Sequence, residues 1–252
     1  MQRRRFYAAP DAISGSLIDL ARDETHHMAR VLRLKVGDEA FVFDGCGREY
    51  RCRILALDNH RAQLEVIEPL TDKIESPIHL TLAQALAKGE KFDFIVQKAT
   101  ELGVRCIVPL VTRYTDVKLN EGKSANRLER WQRISLEALK QSGRRQLVDI
   151  AHPITVAAFL ESQAQSSSCV LVFSERVGGS ITTALATAND PQHVTACIGP
   201  EGGWSDDELE RFAAHGAQAI TLGPRILRTE TAAIVALALI QHTLGDISAP
   251  SR

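Results

Sequence analysis

The hydrophobic rhythm of the chain changes once, and that change calls for two different kinds of layer. Between residues 39 and 68, three short runs (E-A-F-V-F-D, Y-R-C-R-I-L-A-L and A-Q-L-E-V-I-E) tend to alternate apolar with polar side chains, the period of a strand with one buried face. D-G-C-G at 44–47 and D-N-H at 58–60 supply turn chemistry between them. A small β-barrel or sandwich is expected over residues 1–70, followed by a linker at 69–77, where P-L-T-D-K-I-E-S-P sets polar residues between two prolines. Beyond it, short apolar runs recur at 78–83, 106–110, 169–173, 194–198 and 219–222, as in strands of a parallel sheet buried on both faces. Helical patterns separate them. Phe92, Ile95, Val96, Ala99 and Leu102 share one face and end at Gly103, and Leu128, Trp131, Ile134 and Ala138 mark a second helix stopping near Gly143. Ser205 and Glu208 form a capping box ahead of the stripe Leu209, Phe212 and Ala213. Strand and helix in alternation give an α/β domain over 77–252.

Composition narrows the function classes. At 252 residues, with 44% hydrophobic and 24% charged residues, the chain has enough material for two cores and is not of a disordered or collagen-like class. The net charge of -1 hides segregation: residues 88–145 carry thirteen Lys/Arg against seven Asp/Glu, and 146–221 carry two against nine. A basic middle that includes Tyr114 and Trp131 suits an anionic partner, although a solvated helix face would look much the same. The five cysteines are odd in number and form no C-x-x-C pair, which points to reduced thiols without zinc or redox chemistry. His26 and His27 have no third ligand at metal spacing, so no metal site is expected. The longest apolar run, Ala232 to Ile240, is too short to span a bilayer. A soluble cytoplasmic protein is the expectation.

Two loops carry the chemistry. I-G-P-E-G-G-W-S-D-D-E-L-E (198–210) and L-G-P-R-I-L-R-T-E-T-A-A (222–233) each follow an expected parallel strand, and ligands of open α/β sheets sit at the carboxyl ends of the strands. Gly199, Gly202 and Gly203 would let backbone groups approach a ligand, or would merely turn the chain. A phosphate cradle is the rival use, but Asp206, Asp207 and Glu208 crowd the helix start and no G-K-[ST] follows. Nor does a G-x-G-x-x-G follow any expected strand, so a Rossmann dinucleotide site has no support. Arg225, Arg228 and Glu230 lie at the lip of an apolar helix, where they would serve chemistry or pair with one another. Arg3, Arg4 and Arg5 form a basic arm suited to a phosphate backbone or only to solvent.

At these residues the chain resembles the RsmE family of 16S ribosomal RNA uridine N3-methyltransferases, within the SPOUT trefoil-knot superfamily. The resemblance rests on H-H-M-A-R-V-L-R-L-K-V-G-D, F-D-G, Q-A-L-A-K-G-E-K-F-D-F-I-V-Q-K-A-T-E-L-G-V, G-P-E-G-G and L-G-P-R-I-L-R-T-E-T-A. It implies a PUA-like RNA-binding β-barrel followed by a parallel-sheet domain with a deep trefoil knot, a homodimer, and S-adenosylmethionine as cofactor. The knot is outside what periodicity can foretell. By the same resemblance Phe173, Ile198, Gly199, Gly202, Gly203, Leu222, Gly223, Ile226 and Leu227 wrap the cofactor. Arg3, Arg4, Arg5, Arg30, Arg33 and Arg225 would contact RNA of the small ribosomal subunit. Arg228 would stabilise charge on the uracil oxygens, with Glu230 or Glu201 accepting a proton. The competing expectations are a superfamily enzyme for another RNA nucleotide and a non-catalytic ribosome-assembly protein.

Overall fold

A computed structural model describes residues 3–58, 60–115, 121–163, 168–188 and 192–247. Of the segment 161–168, which matched no family motif, residues 164–167 lie outside the described residues. The chain divides into two compact units, Met1–Glu75 with Leu139–Leu147, and Ser76–Ala138 with Val148–Arg252.

The first unit is a six-stranded sheet. β1 (Arg5–Tyr7), β2 (Ile13–Ser14), β3 (Leu17–Leu20), β4 (Glu39–Phe43), β5 (Glu49–Leu57) and β6 (Ala62–Leu70) take the order β1-β4-β5-β6-β3-β2. All neighbours are antiparallel except β1 and β4. The alternating residues bury as their period requires: Val42, Ile54 and Leu64 are fully inside, together with Phe6, Ile18 and Met28. Tyr50 pairs with Pro69 and Glu49 with Leu70, so the strand outlasts the alternation and the expected linker loses its first two residues. Pro69 is tolerated in a strand only where its missing N–H is not needed by the ladder. Between β3 and β4, α1 (Arg22–His26) runs into a wider turn in which the Leu32 N–H donates to the carbonyl five residues back, on His27, at 3.0 Å.

The returning stretch Leu139–Leu147 is fixed to this sheet by charge. Glu49, at the start of β5, is completely buried between two arginines, accepting from Arg5 Nε at 2.6 Å and Arg145 Nε at 2.9 Å. Arg5 also donates to the carbonyls of Leu139 at 2.7 Å and Arg144 at 2.8 Å. Arg144 pairs with Glu75 at 2.8 Å, and Lys140 pairs with Glu24.

The second unit is a sheet of seven strands, all pairs parallel, in the order β10-β8-β7-β12-β11-β13 with β9 beside β8. Its elements are β7 (His79–Ala85), α2 (Lys91–Glu101), β8 (Cys106–Val111), α3 (Glu121–Ser142), β9 (Asp149–Ile150), β10 (Ile154–Thr155), α4 (Val156–Gln163), β11 (Cys169–Phe173), α5 (Ile181–Ala186), β12 (His193–Ile198), α6 (Asp206–Ala214), β13 (Gln218–Ile220) and α7 (Thr229–Thr243). Both faces are covered, which is why the strands read as unbroken apolar runs. Leu171, Phe173, Ala196 and Ile198 pack on the side of α2, α5 and α7, whereas Val172 and Cys197 face α4 and α6. Trp131 is 3% exposed, stacks on Phe92 with ring centroids 4.4 Å apart, and donates Nε1–H to Asp93 at 3.1 Å. It is a core residue, and the expectation that it serves an anionic partner is withdrawn. No helix among the described residues is long and apolar enough to cross a membrane.

Candidate functional site

β12, β11 and β13 lie side by side and parallel, so their carboxyl ends deliver three loops to one edge of the sheet. There a cavity of about 700 Å³ opens, a size typical of small-molecule sites. Phe173 and Ile198 end two of the strands and line it. Gly199, Gly202 and Gly203 line it from the first loop; Leu222, Gly223, Ile226 and Leu227 line it from the second. The two glycine-proline loops therefore do meet around one space.

The walls are held by specific contacts. Trp204 is buried and donates its indole N–H to the Phe173 carbonyl at 2.9 Å, and a Cβ on Gly199 would sit 3.2 Å from that indole nitrogen. The missing side chain at Gly199 is what lets the ring lie flush with the loop. Gly203 has φ +71° and donates its N–H to Pro200 O at 3.0 Å, closing a turn that an L-side chain would strain. Thr229, the first residue of α7, donates to Gly199 O at 2.7 Å and accepts from Gln84 Nε2 at 3.0 Å, a tie between both loops and the centre of the sheet. The capping box forms with both halves: Glu208 N–H donates to Ser205 Oγ at 3.3 Å, and Ser205 N–H to Glu208 Oε2 at 2.9 Å. Glu208 also accepts from the Arg113 N–H, and Asp206 pairs with Arg176 at 2.7 Å. Glu208 is thus committed to holding the loop, whereas Asp206, its side chain 81% exposed, makes only a surface pair.

Charge lines the mouth. Arg225 and Arg228 line the cavity, are exposed, and have no ion-pair partner among the described residues. Arg228 is the N-terminal cap residue of α7, and with no hydrogen bond or ion pair to it among the described residues its guanidinium is free for a ligand. The alternative of an Arg228–Glu230 pair does not form. Glu230 does not line the cavity; one carboxylate oxygen is buried without a hydrogen-bond partner. One residue into a helix, the Glu230 side chain points away from the face that Thr229 presents, so the structure does not bring it among the cavity-lining residues. Glu201 does line the cavity and pairs with Lys91 Nζ at 2.8 Å. Burial by itself would raise the Glu201 carboxyl, but the hydrogen bond from Lys91, backbone N–H groups and the lysine charge outweigh it and hold the carboxyl below its usual range.

Sequence reasoning missed Lys91 and Glu175, which also line the cavity. Lys91 opens a helix five strands of sequence away from the loop it meets, and nothing in a linear reading joins them. Of the arginines expected to touch RNA, Arg3, Arg4, Arg30 and Arg33 are exposed in the first unit. Arg5 is not: it is 6% exposed and its donors are spent on Glu49 and three carbonyls. Arg5 is a structural residue: alternation along β1 sends Phe6 into the apolar core and Arg5 to the opposite face, which the returning stretch 139–147 covers. Arg33 has φ +54° where the chain leaves the wide turn.

Comparison with known proteins places these features in company. The family described as "RNA methyltransferase domain" matches residues 74–241, and that described as "RNA methyltransferase PUA domain" matches residues 20–67. A relative from Synechocystis sp. named ribosomal RNA small subunit methyltransferase E is 39% identical over 95% of this chain and 78% of its own length. A Bacillus subtilis relative of the same name is 33% identical over 87% and 88%. The crystal structure of ribosomal RNA small subunit methyltransferase E from Neisseria gonorrhoeae bound to S-adenosylmethionine is 34% identical, with TM-score 0.88 over 97% of this chain and 99% of that one. A Legionella pneumophila methyltransferase structure with bound S-adenosylmethionine is 32% identical, with TM-score 0.89 over 98% and 100%.

Proposed function

The chain belongs to the RNA methyltransferase family that includes ribosomal RNA small subunit methyltransferase E, and from that premise we propose that it methylates N3 of a uridine in 16S ribosomal RNA. It is an S-adenosylmethionine-dependent enzyme acting on the RNA of the small ribosomal subunit. The observation that carries the reading is the meeting of two glycine-proline loops and two unpaired arginines around one cavity.

The residues present fit the cofactor. Side-chain-free backbone at Gly223, where a Cβ would meet nothing within 4 Å, admits a close ligand, Leu222, Ile226 and Leu227 offer apolar surface to an adenine ring, and Glu175 offers a carboxylate to an ammonium or ribose hydroxyl. When bound, S-adenosylmethionine supplies an electrophilic methyl group on a sulfonium. The chain's own residues do the rest. N3 of uridine is a weakly acidic imide nitrogen, so loss of its proton leaves charge on O2 and O4. Arg228, aided by Arg225, stabilises that charge, and Glu201 accepts the proton or orients the base. The target nucleotide must be unpaired or flipped out to present its Watson–Crick edge. The barrel-like domain of residues 1–70, through Arg3, Arg4, Arg30 and Arg33, holds phosphates, while residues 77–252 carry the cofactor and the knot that the resemblance implies. A homodimer working in the cytoplasm completes the proposal.

The test is nucleoside mass spectrometry after incubating the protein with S-adenosylmethionine and undermethylated small subunits, with naked ribosomal RNA in parallel. 3-Methyluridine in the subunit sample is expected. A different methylated nucleoside would shift the target to another position. No methylation and no cofactor binding by calorimetry would leave only the assembly-protein reading.

A further inference from the structure

We propose that Tyr114 is the residue on which the flipped-out target uracil stacks, its ring forming a platform at the rim of the cofactor cavity. The proposal deepens the methyltransferase reading and rests on it.

β8 ends at Val111, and Thr112–Thr115 form the turn beyond its carboxyl end, on the same edge of the sheet as the glycine-proline loops. That turn is pinned. The Thr115 N–H donates to Thr112 O at 3.2 Å, the Thr112 N–H donates to Thr115 Oγ1 at 3.0 Å, and the two hydroxyls lie 2.8 Å apart. The Arg113 N–H donates to Glu208 Oε1 at 2.9 Å, which ties the turn to the capping box behind the first loop. So firm a turn nevertheless sends an aromatic side chain outward, for Tyr114 is 52% exposed.

The root of that side chain rests on Gly202. A Cβ there would stand 3.0 Å from Tyr114 Cβ and 3.5 Å from its Cγ, so any other residue at 202 would push the tyrosine away. Gly202 has no positive φ, and close approach is therefore what calls for glycine at this position. Gly202 lines the cavity, as does Glu201 beside it, the carboxylate assigned to the uracil.

A base drawn out of its strand loses the stacking of both neighbours, and enzymes that flip bases restore it with aromatic or apolar side chains. The rings inside the cavity are not open to that use. Phe173 and Trp204 are 5% and 3% exposed, and Trp204 packs edge-on against Phe212 with centroids 5.0 Å apart. Tyr114 offers the open face. Beside it the Arg113 side chain is exposed and makes no ion pair among the described residues, a cation available to a phosphate flanking the flipped nucleotide. That unpaired charge favours an RNA strand over a second copy of this chain.

The test compares full-length wild-type protein with Tyr114→Leu in binding two undermethylated small-subunit ribosomal RNAs, one with the target uridine and one with an abasic nucleotide in its place. Leucine keeps Cβ and Cγ, the atoms that lie on Gly202, and loses the flat ring. Tyr114→Leu is expected to weaken binding of the uridine RNA about tenfold and to leave the abasic RNA unaffected, and Tyr114→Phe should restore wild-type affinity. With small subunits as substrate, kcat/KM for methyl transfer should fall by the same factor in Tyr114→Leu, at unchanged melting temperature and unchanged Kd for S-adenosylmethionine. Equal losses on both RNAs, or none on either, would overturn the proposal. So would weakened cofactor binding in Tyr114→Leu, which gives the ring a structural role, or altered sedimentation with RNA affinity intact, which gives it to a second copy. A wild-type protein that methylates neither subunits nor naked RNA would instead remove the methyltransferase reading on which the platform depends.

Discussion

Arg228 and Thr229 are neighbours with opposite duties. The Arg228 guanidinium makes no hydrogen bond or ion pair among the described residues, so Arg228→Ala should fold and bind cofactor normally while methyl transfer falls roughly a hundredfold or more, as for removal of one positioned donor. Calorimetry and single-turnover kinetics separate the two effects, and near-wild-type transfer would exclude Arg228 from the mechanism. Thr229 has two hydrogen bonds to lose, to Gly199 O and from Gln84. Thr229→Val strands both partners in the interior at about 1–3 kcal/mol. Cofactor affinity should drop with melting temperature, in contrast to Arg228→Ala. The sequence shows Arg228 as a charge at the lip of a helix; it gives no sign that Thr229 holds the other loop, because Gly199 and Gln84 are remote along the chain.

Elements were legible where their residues carried a distinct pattern, an apolar run or a helical stripe. The helix from Phe92 to Leu102, the capping box at Ser205 and the five apolar runs all correspond to observed elements. β9, β10, α4 and α5 did not announce themselves: the two strands have two residues each, and helices of eight and six residues repeat too few positions for a helical period to emerge. The capping box gives an element-scale prediction. Ser205→Ala removes the acceptor for the Glu208 N–H and should destabilise α6 by about 1 kcal/mol, read as a lower denaturation midpoint at constant slope. Because Glu208 also fixes the Arg113 N–H, Glu208→Ala should cost more than Ser205→Ala in the same assay.

Across a whole unit, the buried cluster of Arg5, Glu49, Arg145 and Glu75 is the costliest feature to disturb. Glu49→Gln leaves two arginines buried around a neutral amide and should cost about 3–5 kcal/mol, with loss of soluble protein as the gross readout and urea midpoint as the fine one. Glu75 sets a pH dependence. Burial pushes its carboxyl up, but the Arg144 charge and hydrogen bonds from Arg144, Arg145 and Gln146 prevail and hold it below the ordinary glutamate range. A carboxyl depressed in the folded state contributes stability that is present above its unfolded pKa and is lost as pH falls through the folded one. The melting temperature should therefore decline on acidification below the usual glutamate range, and Glu75→Gln should flatten that decline; an unchanged acid limb would show that Glu75 is not responsible. Local periodicity by itself determined the existence and kind of the main elements, the order of a β unit before an α/β unit, and the two loops that line the site, since each depends on residues close in sequence. Tertiary structure alone decided that residues 139–147 return to the first unit, that Arg5 and Trp131 are structural, that Glu230 misses the cavity and that Lys91 reaches Glu201. All but the placement of Glu230 turn on contacts between residues dozens of positions apart, where the free energy of burial and charge pairing is settled by neighbours that the linear order does not reveal.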